Sequence, residues 1–526
     1  MSGPRLIKGH GRDGLMRAVL LLLIVASLAG CVADDEGWSQ AESPPSIPDD
    51  WAARAVPWDG HDHYDPAQHQ NLSSENFDLL GWDPLVSGHY GHTAGGHLCG
   101  DATDAGARRL AVVHGISTDV AFVLIDVTDP AAPTPLGEFI LPRSSSRDVS
   151  ITPDGRHVAV ALSTPDVQDP YYAHPDVTQP TFRGVCGDVP LTVPGLGGLS
   201  GPEQDLPLPP GVLLVDVTDP TEPAIQDLYP MPALGAHSVY AGSVPGRTIV
   251  IVSVVNLAQP LTNFHFFEVQ DTLQGAHMVP LGVYTENPTT AGAPVVNGHN
   301  DGVVQRHPLT GQDLAYLANW DQGMNIVDIG TPLLTPVGGW NDNPGPSSDL
   351  QRDGIGSVHE AIPIEGLWDG RHYTIIGQEI LDHPSQTPSG WVRVLDTTDP
   401  TAPFVVAEWT LPVDVFWDEQ LVFSTHYVTL HERTLYVAHY HAGVWAVDLS
   451  CIPDCEHPPA IGVFVPANVS PSPPPSHLPY DWSPTVMEAV ALDNGDLVVF
   501  DATSGVYMVR LDKSDPAPAA IWPGYL

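Results

Sequence analysis

Three features of the sequence predict an all-β fold, a β-propeller of seven four-stranded blades. First, the phrase "GVLLVDVTDPTEP" (211–223) recurs almost unchanged as "AFVLIDVTDPAAP" (121–133) and "WVRVLDTTDPTAP" (391–403). A phrase repeated at long intervals marks one structural unit used several times. Second, the chain carries 49 Gly, 55 Pro and 42% hydrophobic residues, and long helical patterns are scarce. That composition supplies a core and many turns but no helical layer. Third, the 526 residues show no division into differently composed halves. A chain of this length exceeds a typical single core, and a closed ring of repeats resolves the conflict.

Taken in order along the chain, residues 1–30 read as a lipoprotein signal peptide. Arg5, Lys8, Arg12 and Arg17 precede the apolar run Ala18–Leu28, which ends in "LAGC" at Cys31. The run is short for a membrane span and suited to a signal core. "LAGC" resembles the lipobox of prokaryotic lipoproteins, which implies acylation of Cys31 and anchorage on a membrane; an ordinary secretory signal is the alternative. Residues 31–50, acidic with Ser and Pro, read as a flexible acidic tether. Residues 51–95 read as an N-terminal strap packing on the propeller. Within it, His61, His63 and His69, with His89 and His92 shortly after, form a polar strap or a partial metal site.

Residues 96–526 read as the propeller. Apolar strands precede the phrase, namely "RRLAVVHG" (108–115), "RHVAVAL" (156–162), "RTIVIVSV" (247–254), "DLAYLANW" (313–320), "HYTIIGQE" (372–379), "TLYVAHY" (434–440) and "DLVVFDA" (497–503). Most follow a Gly-containing hairpin turn such as "PDGR" or "DNGD". The phrase itself reads as a buried strand ending in Asp126, Asp216 or Asp396. Its Thr-Asp-Pro break reads as a turn, because Asp bonds nearby backbone N–H groups and Pro cannot continue a ladder. Weaker copies stand at "GMNIVDIGTP", "GVWAVDLS" and "GVYMVRLD", and a short strand that often ends in proline follows each phrase, as in "PLGEFILP" (135–142). Two Pro-rich insertions, Pro165–Pro210 and Ser470–Pro484, read as lids or ordered loops.

The phrase resembles the repeat of the LVIVD family, β-propeller proteins of prokaryotic cell surfaces, in which a Gly-led apolar strand precedes Asp-Val-Ser-Asp-Pro. Gly211 to Pro220 carries the match, with Thr218 where the family often has Ser. The resemblance implies the fold and a surface location, and it implies no particular reaction.

Aligning the first strand of each unit brings His97, Arg147, His237, His299, His359, His426 and Glu488 to one position. In a propeller such residues converge near the axis. Five imidazoles with a carboxylate are a donor set for copper, zinc or iron, and Arg147 would suit an anionic ligand. The alternative is a clamp, in which each histidine bonds the Asp of a neighbouring repeat. The pair His439/His441, with Asn319/Asp321 at the corresponding place in the fourth unit, marks polar positions near a strand end.

Cys31 apart, Cys99, Cys186, Cys451 and Cys455 form an even set, as expected of disulfides in an oxidising compartment. "CIPDC" reads as a local staple, with a zinc site including His457 as the alternative, and Cys99 with Cys186 reads as the long-range bridge. A formal charge of −44, with only 19 basic residues, repels phosphate backbones and excludes nucleic acid as a partner. No phosphate cradle, HExxH helix or nucleophile elbow is present in the sequence. Two functions compete. One is a lipid-anchored surface module binding a protein, a polysaccharide or an ion; the other is a metal-dependent oxidoreductase or hydrolase, with His237, His299, His359 and His426 as ligands and Glu488 as ligand or general base.

Overall fold

Each copy of the repeated phrase is the third strand of an antiparallel sheet: Val120–Asp126, Gly211–Asp216, Met324–Asp328, Trp391–Asp396, Val444–Asp448 and Gly505–Leu511. The computed structural model describes residues 73–85 and, with breaks in the loops, 97–513. Among the described residues there are strands and turns and no helix, and the strands form seven sheets. The inner strands are His97–Ala105, Ser145–Ile151, Ser238–Val244, Gly302–Arg306, Val358–Pro363, Val428–His431 and Val486–Ala491. Each inner strand touches the next, and the seventh touches the first, so the ring is closed into a seven-bladed β-propeller.

The phrase has the wording it has because of where it lies. Its apolar run is buried on both faces between adjacent blades, so it is continuous rather than alternating. Seven separate apolar clusters fill the seams, each drawing on two neighbouring blades; Leu435, Val437 and Trp445 of blade six pack with Ile375, Val394 and Trp409 of blade five. The aspartates then close the turn. Asp126, Asp216 and Asp396 each accept the N–H of the residue two further on, at 2.8, 2.8 and 2.9 Å. The second aspartates, Asp129, Asp219 and Asp399, repeat this at 3.0 Å. They are thus committed to their own turns and do not clamp a neighbouring histidine.

The N-terminal boundary differs from the sequence expectation. Residues 73–83 are not a strap over the ring but part of it. Ser73–Glu75 adds a fifth strand to the edge of blade six, and Phe77–Asp83 is the outer strand of blade seven, paired with Gly505–Leu511. The seventh blade thus takes its outer strand from a segment that precedes the first blade, and this pairing latches the ring. Backbone contact shows how closely the latch fits: a Cβ at Gly81 would lie 2.3 Å from the carbonyl oxygen of Pro130 in the phrase turn of blade one. The same approach, Gly338 to Pro400 at 2.2 Å, joins blades four and five. "FDLLGWDP" ends in Pro84 as the outer strands of blades one, two, five and six run to Pro142, Pro230, Pro412 and Pro466, a signal the sequence did carry.

Part of the Pro165–Pro210 insertion, Thr181–Gly184 with Gly187–Pro190, extends blade one to six strands. Cys186 at the tip of this hairpin is disulfide-bonded, and the Cys99 side chain lies outside the described residues. Cys451 and Cys455 are bonded to each other across a Cα separation of 5.5 Å, so "CIPDC" is a staple and not a zinc site. Residues 1–72, with Cys31 and the His61–His69 group, and the segments holding His89, His92 and Ser470–Pro484 lie outside the described residues.

Candidate metal centre

In blades two, five and seven the inner strand begins with a β-bulge, and the bulge decides which side chain faces where. The pairing passes from Ser146 to Asp148, from Val358 to Glu360 and from Val486 to Glu488, leaving Arg147, His359 and Met487 as the extra residues. A bulged residue is re-aimed out of the pleat. Glu488 is therefore the counterpart of Asp148 and Glu360, one place removed from the position the sequence alignment gave it. That single-residue offset changes its face and its role.

The residues at the Glu488 position do the clamping that the sequence offered to the histidines. Glu488 Oε2 accepts the Gly100 N–H of blade one at 2.8 Å. Asp148 Oδ2 accepts the Val239 N–H of blade three at 2.8 Å, and Glu360 accepts the Val428 N–H of blade six. Asp101 of blade one performs the same service for Ile151 and Ser150 of blade two, at 2.9 and 2.8 Å. Burial pushes Asp101 up to about 6 and raises Glu488 well above the ordinary carboxylate range, and neighbouring carboxylates raise Glu488 further.

His359 and His426 do come together, at the seam of blades five and six. Their rings lie 4.3 Å apart. The third member of the group is Glu379, which sequence reasoning missed. Its Oε2 lies 3.8 Å from His359 Nε2 and its Oε1 lies 3.9 Å from His426 Nε2. One donor atom from each of the three lies within 4.8 Å of the others, and all three side chains are buried. Each imidazole Nε2 thus lies about half an ångström beyond the roughly 3.4 Å at which two ligands about 2.0–2.1 Å from one ion stand at a tetrahedral angle, measured to the nearer Glu379 oxygen.

Each member is set by its neighbours. His426 Nδ1 donates to the Met487 carbonyl of blade seven at 2.8 Å, which leaves the Nε2 lone pair facing Glu379. Burial lowers His426 to about 4, opposed by that hydrogen bond, so the ring is neutral at pH 7. Glu379 accepts the phenol of Tyr440, and burial pushes its carboxyl up to about 8 despite that bond. With Glu379 protonated and His426 neutral at pH 7, the His426–Glu379 approach is no ion pair. Trp320, Tyr427 and Tyr440 meet the two imidazoles edge-on and wall the group off.

The remaining members of the aligned position are elsewhere. The His237 N–H donates to the Ser253 carbonyl at 2.9 Å, as the His426 N–H does to Ala438, so the two are equivalent along the backbone. His237 is nonetheless not in the group. Arg147 is exposed, with Nε donating to Ser163 Oγ at 3.1 Å. His97 opens the inner strand of blade one, with its side chain outside the described residues, and His299 lies wholly outside them. The signal for Glu379 was its place. It ends the second strand of blade five where Trp320 and Tyr440 end theirs, beside the Asn319 and His439 positions already marked as polar.

A second pair of histidines shows what a structural role looks like here. His372 engages Thr397 Oγ1 and Gln305 Oε1, both at 2.9 Å, while His307 Nε2 engages the Thr397 carbonyl at 3.0 Å. Both ring nitrogens of His372 are satisfied by protein groups of blades four and five, so the pair clamps that seam.

No protein-family model matches the chain, and no curated protein matches it either. Solved structures with some likeness include the WD40 repeats of RRP9, at 9% identity and TM-score 0.42, covering 83% of this chain and 97% of that one. The WD40 β-propeller domain of Doa1 gives 11% identity and TM-score 0.41, with 83% and 98% covered. A mitotic checkpoint complex gives 9% identity and TM-score 0.40, with 84% and 94% covered. Likenesses at this level say nothing about chemistry or partners.

Proposed function

We propose that this chain is an exported propeller, lipid-anchored through Cys31, that acts as a cell-surface binding module and holds one transition-metal ion between blades five and six. The observation that carries the metal is the convergence of His359, Glu379 and His426, three buried donors from two blades facing one point. Two imidazoles and a carboxylate suit zinc, iron or copper. Anchorage is supported by the basic and apolar leader ending in "LAGC", and kinship with the LVIVD propellers by the wording of the repeat, "GVLLVDVTDP". The fold and an acidic surface suit a protein or polysaccharide partner and not a nucleic acid.

A second reading, a metal-dependent oxidoreductase or hydrolase, is favoured by the count of three donors in the group. Structural zinc sites are closed by four protein ligands, whereas catalytic ones keep a position open. The two readings share the ion, so the ion is tested first. The full-length protein, extracted from membranes with detergent, is expected to carry about one equivalent of copper, zinc or iron by plasma mass spectrometry. A folded His359→Ala/His426→Ala variant is expected to carry none. Equal metal in both, or none in the parent after reconstitution, removes the metal centre; recovery of the parent only in the soluble fraction removes the anchor.

A further inference from the structure

Tyr440 does more than wall off the centre. Tyr440 donates its phenol proton to Glu379 Oε1, the same oxygen that faces His426 Nε2 at 3.9 Å. Two oxygens sharing a proton and two cis ligands of one ion stand at nearly the same separation, about 2.7 Å for O–H···O and roughly 3 Å for donors some 2.1 Å from a common centre. A cation can therefore take the place of that shared proton with little movement of either side chain.

The backbone is strained to put the ring there. Tyr440 is held at φ +46°, a region that strains a non-glycine residue, by a bridge in which the Val486 N–H of blade seven donates to the Tyr440 carbonyl at 3.0 Å. Trp320 follows the second strand of blade four at φ +37°, bridged to Val358 by hydrogen bonds in both directions at 3.0 and 3.1 Å. Each turn sets an aromatic ring edge-on to a histidine of the centre, Trp320 at 6.1 Å from His359 and Tyr440 at 5.2 Å from His426. Of these two rings, Tyr440 brings an oxygen that can ligate.

We propose that Tyr440 is a fourth protein ligand of the ion through its phenol oxygen, making a two-histidine, one-glutamate, one-tyrosine centre suited to ferric iron. The proposal rests on the metal reading above. Two anionic oxygens match a hard trivalent ion better than a soft one, and they offset two of its three charges. On binding, iron–oxygen bonds replace the phenol O–H bond of Tyr440 and the carboxyl O–H bond of Glu379, and both protons leave to water. No electron changes hands.

The test titrates full-length, metal-stripped protein in detergent with ferric nitrilotriacetate, following bound iron by plasma mass spectrometry and the visible spectrum. The parent should take up one equivalent and develop a phenolate-to-iron charge-transfer band, with phenolate ring modes in the resonance Raman spectrum excited within it. Tyr440→Phe should lose the band and bind iron more than about 100-fold more weakly, beyond the roughly 10–100-fold loss of an outer-shell partner. Tyr427→Phe should keep both. The Raman measurement needs the parent alone, so a misfolded variant does not leave the question open. Stoichiometric but colourless iron in the parent overturns Tyr440 as a ligand while the three-residue centre stands. A band that survives in Tyr440→Phe also overturns it. Uptake of zinc but not iron overturns the ferric assignment, and uptake of neither overturns the metal reading itself.

Discussion

Deleting residues 1–83 is expected to prevent the propeller from closing, whereas deleting residues 1–72 leaves it folded. The difference is the two short strands that complete blades six and seven. Phe77 is buried against Tyr436 and Phe464, and Trp82 packs on Tyr507 while its Nε1 donates to the Ser504 carbonyl at 2.8 Å. Burying a large apolar side chain contributes roughly 1.5–3 kcal/mol, so Phe77, Leu79 and Trp82 together contribute about 5 kcal/mol before the ladder itself is counted. That is comparable to the roughly 5–15 kcal/mol by which a typical domain is stable. Loss of the strand also bares the edge of Gly505–Leu511, a template for aggregation. Near-UV circular dichroism and urea melts of the two deletions decide the matter, with a peptide of residues 73–85 added in trans as the rescue. Coincident melts would mean that the latch is dispensable.

Affinity for zinc, held by His359, Glu379 and His426 with the Tyr440 phenol still protonated, is expected to rise about tenfold per pH unit between pH 6.5 and 8 and to level off above. Below about 8 the metal-free Glu379 holds a proton that an ion must displace, while His426, lowered to about 4, is already neutral and adds no slope there. Glu379→Gln should abolish the slope and weaken zinc binding by about 100-fold or more, yet fold normally, because a neutral amide replaces a neutral acid. Zinc titration calorimetry across this range, in buffers of differing ionisation enthalpy, measures both the affinity and the proton released. A flat profile in the parent would show that Glu379 is not a ligand.

Stability of the metal-free protein should move in the opposite sense. A carboxyl whose folded pKa is raised contributes stability that is present below its unfolded value and lost as pH rises through the folded one. Glu379 therefore makes metal-free protein less stable at pH 9 than at pH 7, and a bound ion removes that loss. Thermal melts with and without zinc at the two pH values follow from the same titration.

The sequence by itself determined the ring of blades. Its buried third strands are continuous apolar runs, its turns are written in Asp and Pro, and its units recur seven times; Asp126, Asp216 and Asp396 cap the turns they were read as capping. These features are local, and local chemistry is what a linear pattern records. It also placed His359 and His426 at corresponding points of adjacent blades. Only the tertiary structure decided what accompanies them. A β-bulge moves register by one residue without leaving a mark in the sequence, which turned Glu488 from an expected ligand into a clamp on Gly100. Glu379 and Tyr440 sit at the ends of second strands, 20 and 14 residues from His359 and His426 in the chain, and reach them only because neighbouring blades bring strand ends to one seam. The closing strand Phe77–Asp83 meets its partner across more than four hundred residues. Contacts of that range are fixed by ring geometry, a property of the folded whole and of no stretch within it.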